Sequence, residues 1–423
     1  MTIWYDFTTT LRSPGRNGIA NVEWSAGIAL LDSGADVRCF ALHGRSALLE
    51  IDPGSLGGAV YATDDSPPAQ SDGARTWRDG VRALLRHQLG PRSAPIIRAM
   101  SRAYQASRRA LRAARHPTRA RAAAPRGARL SEVVRAGDVV ISLGADWEAD
   151  VARGLGQLRA ATGCKVVTMV HDLIPLTHPH LAFANVPDHF IAYYEALLAA
   201  SDLIVCNSEQ SRLDLLGFAA ERGRPAPATE VIQLGDSASG EPVERAAQPG
   251  DFFLWVGTVE ARKNLEVLYD ALRLLEAEHA PLPTLVVAGA IGWGVSDLLR
   301  EIALQSTPAS RALVLLGPVD VPTLNGLYAR ARALLFPSFF EGYGLPVREA
   351  AIRGCPVAAG EGSAVREALQ DFAGAVFLSP DDPTAWADFM RRDVAPVDAL
   401  AARPWSVTAA QLLRLARSAD GPL

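Results

Sequence analysis

Short apolar runs alternate with amphipathic stretches through most of the chain. Runs rich in Val, Ile and Leu occur at 36–42, 138–143, 165–170, 203–206 and 230–233, and again at 252–256, 284–288, 312–316, 333–336 and 356–359. Runs this short and this apolar predict parallel strands covered on both faces. Between them the period becomes helical, most clearly over 264–278, where Leu265, Leu268, Leu272 and Leu275 fall on one face. Repeated strand–helix–strand units with right-handed crossovers predict an α/β protein built from Rossmann-like open sheets.

The runs form two sets, separated by a polar, Gly- and Pro-bearing stretch at 236–250 (DSASGEPVERAAQPG). That pattern predicts an N-terminal Rossmann-like domain over 1–235, a linker over 236–250 and a C-terminal Rossmann-like domain over 251–395. A terminal segment, 396–423, contains an amphipathic stretch at 404–417 with Trp405 near its start. Ligands of open α/β sheets bind at the carboxyl ends of the strands. Two such domains therefore predict a site in the cleft between them, with cleft closure as a step. Residues from about 62 to 136 break the pattern as an insertion. Between Arg98 and Arg129 lie ten arginines and no acidic residue. A solvated surface helix followed by an insertion accounts for this. Peripheral contact with an anionic membrane accounts for it too, at about 1 kcal/mol per basic residue near the surface. Nucleic acid is disfavoured, because Tyr104 is the only aromatic side chain there.

Composition narrows the classes. Apolar residues make up 49% of the 423 and charged residues 21%, enough for two full cores and too apolar for bulk disorder. The net charge of −4 excludes a nucleic-acid binder that works by overall charge. No apolar run of about 18 residues is present, so no transmembrane helix is expected. The start, MTIWYD, lacks the basic and apolar regions of a signal peptide, so a cytoplasmic protein is expected. The four cysteines, Cys39, Cys164, Cys206 and Cys355, are widely spaced and form no CxxC, which argues against a disulfide scaffold or zinc site. Lysine occurs only at positions 165 and 263, so a lysine inside a motif stands out.

The stretch 336–356 reads FPSFFEGYGLPVREAAIRGCP. A strand ends at Phe336, and Gly342 and Gly344 loosen the following loop. Pro346 suits the first turn of a helix, where its missing N–H costs nothing. A glycine-bearing turn that feeds a helix N-terminus is an anion site. Glu341 and Glu349 frame it, and carboxylates accept hydrogen bonds from hydroxyls, so the pair suits a polyol such as a sugar or ribose. A strand–turn–helix corner with two solvated glutamates fits the same spacing.

E-x7-E within S-x-x-E-G-x-G-L-P-x-x-E-A resembles the signature of retaining glycosyltransferases of the GT-B fold, especially glycosyltransferase family 4. Pro337, Ser338, Glu341, Gly342, Gly344, Leu345, Pro346, Glu349, Ala350, Gly354, Pro356 and Val357 stand where the family pattern has them. The stretch 254–265, LWVGTVEARKNL, is similar to the family's first strand and loop of the donor domain. Arg262 and Lys263 match its basic pair, with Thr258 in the same loop. Fixed cations there would stabilise the charge of a departing nucleoside diphosphate. The segments VVAGAIGWG and LLGPV (286–294 and 315–319) also look like family strands with their loops. By resemblance Gly317, Pro318 and Val319 line the nucleobase pocket through their backbone. In the first half VTMVHDLIPLTHP (167–179) resembles the family strand that ends in His-Asp at the cleft. His171 would contact the donor sugar, and Asp172 would orient nearby groups. Ser208, in VCNSEQSRLD, reads as a helix N-cap. In the early loop RSPGRNGIANVE (12–23), Gly18 is the candidate for close backbone approach; Gly15 and Gly18 replace the usual double glycine. Asp146, in SLGADWE, is an acceptor-side candidate.

The resemblance implies the GT-B fold: two Rossmann-like domains facing a central cleft, with the C-terminal helix crossing back to the first. It implies a retaining glycosyltransferase that moves a sugar, mannose- or rhamnose-like, from a nucleotide-diphosphate-sugar to a hydroxyl acceptor in bacterial surface polysaccharide or glycolipid assembly. Glu341 and His171 would be catalytic. Arg262, Lys263 and the N–H groups of Tyr343, Gly344 and Leu345 would hold the pyrophosphate, and Glu349 the ribose. No Asp-x-Asp occurs, so no metal and no cofactor beyond the nucleotide-sugar are expected. The expected partners are the donor and a saccharide or lipid-linked saccharide, on the cytoplasmic side, with peripheral contact at the inner face of the membrane through the stretch from Arg98 to Arg129 as a further expectation. A nucleotide-sugar hydrolase or epimerase on the same fold, or a non-catalytic nucleotide-sugar binding subunit, are the alternatives.

Overall fold

The computed structural model describes residues 1–12, 18–43, 47–52, 128–145, 150–181, 188–236 and 250–418. The arginine-rich run up to residue 127, Asp146 and residues 237–249 of the expected linker lie outside them.

The described strands form two sheets. The first contains β1 (Ile3–Asp6), β2 (Val37–His43), β3 (Ala47–Ile51), β4 (Val139–Ser142), β5 (Lys165–Val170), β6 (Leu203–Cys206) and β7 (Ala228–Val231), in the order β3-β2-β1-β4-β5-β6-β7. All neighbours are parallel except β3, which runs antiparallel to β2. The second contains β8 (Phe252–Val256), β9 (Thr284–Ala288), β10 (Leu313–Gly317), β11 (Leu334–Phe336), β12 (Val357–Gly360) and β13 (Ala375–Leu378). Its order, β10-β9-β8-β11-β12-β13, is wholly parallel. In each sheet the order reverses between the first strand and the fourth: β1 beside β4, and β8 beside β11. That reversal is the switch point where open α/β sheets hold ligands.

Side chains of successive strand residues point to opposite faces, and both faces are covered. In β8, Phe253 and Trp255 enter one core with Leu285, Val287, Leu335 and Ala358. Leu254 and Val256 enter the other, with Phe336, Val347, Val357 and Ala359. The helix Leu265–Ala277 buries Leu265, Leu268, Leu272 and Leu275, the face its period predicts. The first sheet is covered likewise: Trp4, Phe40, Val140, Val166 and Ile204 lie on one face, and the equally buried Ile3, Tyr5, Ile141, Val167 and Val205 alternate onto the other.

The helix Trp405–Ser418 packs on the helix Gly18–Leu31 of the first half. Thr408 Oγ1 donates to the Gln233 carbonyl at 2.8 Å and accepts from Gly235 N at 2.8 Å. The C-terminal helix thus crosses back as expected. The Arg348–Asp236 ion pair fastens the same region. Arg348 Nε and Nη2 donate to the two Asp236 oxygens at 2.9 and 2.5 Å, and Arg403 N adds a bond to Oδ2 at 2.8 Å. Asp236, first residue of the polar stretch read as linker, is therefore buried and held from two sides.

Candidate active site

Three turns meet at the switch point of the second sheet. After β8, the chain passes Thr258 and enters a 3-10 turn, Ala261–Lys263, with Asn264 left-handed at φ 50°. After β11 comes the loop carrying Glu341. Phe339 N donates to the Arg262 carbonyl at 3.0 Å, and Arg262 Nη1 donates to the Phe340 carbonyl at 2.9 Å, so the two loops are laced together. Glu341 then lies between the two cations. Its Oε1 is 2.5 Å from Lys263 Nζ, and its Oε2 is 2.8 Å from Arg262 Nη1. Arg262 Nη2 also pairs with Glu260 at 2.7 Å, and Lys263 Nζ lies over the Phe336 ring, 4.9 Å from its centroid.

Burial alone would raise the Glu341 carboxyl, but Arg262 and Lys263 outweigh it and hold it down at about 2. Burial lowers Lys263, with Glu341 opposing. Arg262 is raised despite burial, because Glu341 and Glu260 favour its charged form. Glu341 and Arg262 are therefore both ionised near neutral pH, while the Lys263 ammonium is held by Glu341 against its burial. Arg262 and Lys263, expected to face a bound anion, meet a carboxylate of the same chain.

The helix Leu345–Ala351 follows the loop, opened by Gly344 at φ 95°. The first N–H groups of such a helix lack intrahelical acceptors, and here they follow directly on the loop that carries Glu341. One turn further, Glu349 Oε2 accepts from the Tyr328 hydroxyl at 3.0 Å. Burial pushes the Glu349 carboxyl up to about 6, with Tyr328 and Arg353 opposing. Gly317 ends β10 with φ 73°, and its carbonyl accepts from Gly289 N at 2.9 Å. Pro318 is exposed, and Val319 packs on the core that contains Tyr328 and Val347.

The first half reaches this loop through His171 and Asp172, just past β5. His171 is buried, and its Nε2 lies 2.7 Å from the Leu143 carbonyl at the end of β4. A carbonyl only accepts, so Nε2 carries the hydrogen and Nδ1 is left as an acceptor. Burial lowers the ring to about 4, so it is neutral at ordinary pH. Burial raises the Asp172 carboxyl, and Arg262, Glu341 and Lys263 all act on it across the cleft. Gly342 sits against this pair: a Cβ on it would strike the His171 carbonyl oxygen and the Asp172 Cβ. Gly18, exposed at the start of its helix, approaches Leu345, whose Cδ1 would lie 3.1 Å from an added Cβ. Of the expected site residues, His171, Asp172, Gly18, Gly342 and Leu345 are thus brought together with the cations. Gly317, Pro318 and Val319 lie at the end of β10, two strands from β8.

Sequence reasoning missed the bonds that close this contact. Ser208 caps its helix, accepting from Ser211 N at 3.1 Å, and the same hydroxyl donates to the Gly342 carbonyl at 2.6 Å. Ser211 Oγ donates to the His171 carbonyl at 2.9 Å. Glu367 accepts from Glu209 N and Gln210 N at 2.7 and 3.2 Å, so the second half caps a helix of the first. The serine spacing signalled a cap; nothing local signalled a partner more than a hundred residues away. Among the described residues no group of three or more His, Cys, Asp or Glu side chains has a metal-holding arrangement.

Comparison with known proteins agrees with this geometry. Residues 250–394 match the family described as Glycosyl transferases group 1. The chain is 29% identical over 242 residues to the serotype-specific mannosyltransferase WbdA of Escherichia coli, covering 53% of this chain and 29% of that protein. It is 30% identical over 233 residues to the O-antigen chain mannosyltransferase B of Escherichia coli, covering 52% and 59%. The match thus spans under a third of WbdA and somewhat over half of the other mannosyltransferase. Among solved structures, Anabaena Alr3699/HepE in complex with UDP and glucose superposes with a TM-score of 0.54 at 14% identity, over 99% of this chain and 98% of that one. Residues 250–394 therefore match the glycosyl transferases group 1 family, within a chain that has the GT-B fold.

Proposed function

We propose that the chain transfers a sugar from a nucleoside-diphosphate-sugar to a hydroxyl acceptor with retention at the anomeric carbon. The observation that carries this reading is the convergence of Arg262, Lys263 and Glu341 at the switch point of the second sheet, with His171 and Asp172 facing them from the first. In the bound state Arg262 and Lys263, with the amides of Gly344 and Leu345, take the diphosphate. Glu341 and the Nδ1 of His171 accept hydrogen bonds from sugar hydroxyls. Glu349, steadied by Tyr328, accepts from the ribose diol, and the backbone of Gly317 to Val319 borders the base. The bond from the anomeric carbon to the diphosphate breaks, and its electron pair goes to the leaving oxygen, where the cations stabilise it. The acceptor oxygen bonds the same carbon from the same face, and its proton passes to the leaving phosphate.

The mannosyltransferase relatives support mannose as the sugar and a growing surface polysaccharide as the acceptor. No described helix is long and apolar enough to cross a membrane. The fixed cations supply the charge that a metal supplies elsewhere, so the reading needs no metal. The test is a thermal-shift titration with UDP and GDP in EDTA. A nucleotide at about 100 times its dissociation constant adds about 2.7 kcal/mol of stability. The shift is expected in the wild type and lost in Lys263→Ala. Absence of any shift, or its survival in Lys263→Ala, contradicts the reading. Release of free sugar from donor alone, without acceptor, points instead to a hydrolase.

A further inference from the structure

We propose that Glu341 is the resting counterion of the diphosphate subsite, and that its exchange between the two cations and the sugar hydroxyls makes the site prefer intact donor over spent nucleotide. This rests on the transferase reading above and assigns Glu341 a further, specificity-determining role in it. Each of its oxygens is committed to one cation, Oε1 to Lys263 at 2.5 Å and Oε2 to Arg262 at 2.8 Å. The Glu341 side chain is 9% exposed and that of Lys263 11%, so water compensates little if these contacts are broken. Glu260 takes a further Arg262 N–H at 2.7 Å. Two cations and two carboxylates leave the resting cluster with no net formal charge.

A diphosphate that enters must therefore displace a carboxylate rather than fill a vacancy. A carboxylate so displaced, and almost fully buried, needs new donors, because an unpaired buried charge is costly. An intact donor brings them as sugar hydroxyls. A nucleoside diphosphate without its sugar does not, so Glu341 competes with it for the cations. Occupancy of the sugar subsite thus strengthens the diphosphate subsite, and departure of the sugar weakens it. The same competition favours release of the spent nucleotide and excludes small anions from the empty site.

The test compares binding of UDP and GDP with that of UDP-glucose and GDP-mannose by calorimetry, in the wild type, Glu341→Gln and Glu260→Gln. Glu341→Gln is expected to tighten the nucleoside diphosphate at least tenfold while lowering turnover, so the preference for donor over nucleotide falls at least tenfold. Inorganic pyrophosphate should raise the melting temperature of Glu341→Gln and not that of the wild type. Glu260→Gln removes the same charge from the cluster without touching the sugar, and should leave the preference within about twofold of wild type. Equal changes in both variants would reduce the effect to net charge and overturn the proposal, as would an unchanged preference in Glu341→Gln. Glu341→Asp is the second variant should the amide fail to fold: a carboxylate one methylene shorter should span the cations less well and give an intermediate tightening. If neither UDP nor GDP, free or as donor, binds any variant, the transferase reading itself fails.

Discussion

The two sheets present the same topological feature, a strand-order reversal, with opposite electrostatics. At the β8–β11 reversal, Glu341 is ionised and compensated by Arg262 and Lys263. At the β1–β4 reversal, the acids Asp6 and Glu23 are buried, and backbone amides with threonine and serine hydroxyls hydrogen-bond to them. Asp6 accepts from Thr8 N at 2.9 Å, from Thr8 Oγ1 at 2.5 Å and from Ser142 Oγ at 2.7 Å. Glu23 accepts from Thr9 N and Thr10 N at 3.2 and 2.6 Å. Gly144, at the end of β4, leaves the space in which Thr9 and Glu23 meet. Charge facing charge yields a site that an incoming anion can enter by exchange. A buried carboxyl held by amides and hydroxyls yields a fixed floor instead.

The difference has a signature in pH, the largest effect expected. Burial and the neighbouring Asp6 push the Glu23 carboxyl up to about 8, against threonine hydrogen bonds that lower it. A raised carboxyl binds a proton in the folded state that the unfolded chain has already lost. Stability therefore falls as pH rises from about 4.5 to about 8, by at most about 5 kcal/mol for one proton over about three and a half pH units. Glu341 works the other way. Its lowered carboxyl contributes stability above about 4.5, and that contribution is lost as pH falls toward about 2. Chemical denaturation at pH 7, 7.5 and 8, above the range in which Glu349 and His171 titrate, should show the decline in the wild type and in Glu341→Gln, and a much smaller one in Glu23→Gln. A decline that survives undiminished in Glu23→Gln would mean the first sheet's acids are ionised, and the contrast between the two edges would collapse.

Gly342 joins the two edges, and its substitution is next in size. An added Cβ would strike the His171 carbonyl oxygen, which is backbone and cannot swing aside. Gly342→Ala must either part the halves or shift the loop that carries Glu341. A misplacement of about 1 Å at a reacting centre costs on the order of a hundredfold in rate. A drop of that size in kcat/KM is expected, with nucleotide binding to Arg262 and Lys263 largely kept. Full activity in Gly342→Ala would show that the two edges need not meet for turnover.

Where an element owes its form to its own residues, the sequence made it readable. FFLWV in β8 is strand-like on both faces, and the leucines of 265–277 mark one helical face. The glutamates, glycines and cations of the second edge were readable because their spacing is local. Elements fixed by distant partners were not. β1 is only four residues, IWYD, with polar Asp6 at its end, and β3 is the antiparallel edge strand. The run expected at 230–233 pairs instead at 228–231, because β7 is an edge strand whose residues need no burial and so leave no apolar trace. Ser208, Ser211, Glu367 and the Asp236–Arg348 pair act across the cleft, and no periodicity encodes a partner on another domain. The same holds for Glu341: its position was readable, but its pairing with both cations was not.

Ser208→Ala gives the smallest effect and separates closure from chemistry. The hydroxyl caps the helix Glu209–Glu221 and donates to the Gly342 carbonyl at 2.6 Å. Loss of a serine cap costs about 1 kcal/mol, and Ser211 Oγ, 3.3 Å from the same carbonyl, can retain part of the bond across the cleft. The melting temperature should therefore fall by only about 2–4 °C. If Ser208 holds the closed contact as well as its helix, the donor KM should rise a few-fold with kcat little changed, and Ser208→Thr should restore it. Ser208→Asp keeps a capping oxygen but cannot donate to the carbonyl, so it should recover stability and not KM. Equal recovery of both by Ser208→Asp would reduce Ser208 to a cap and leave Ser211 and Glu367 to hold the two edges together.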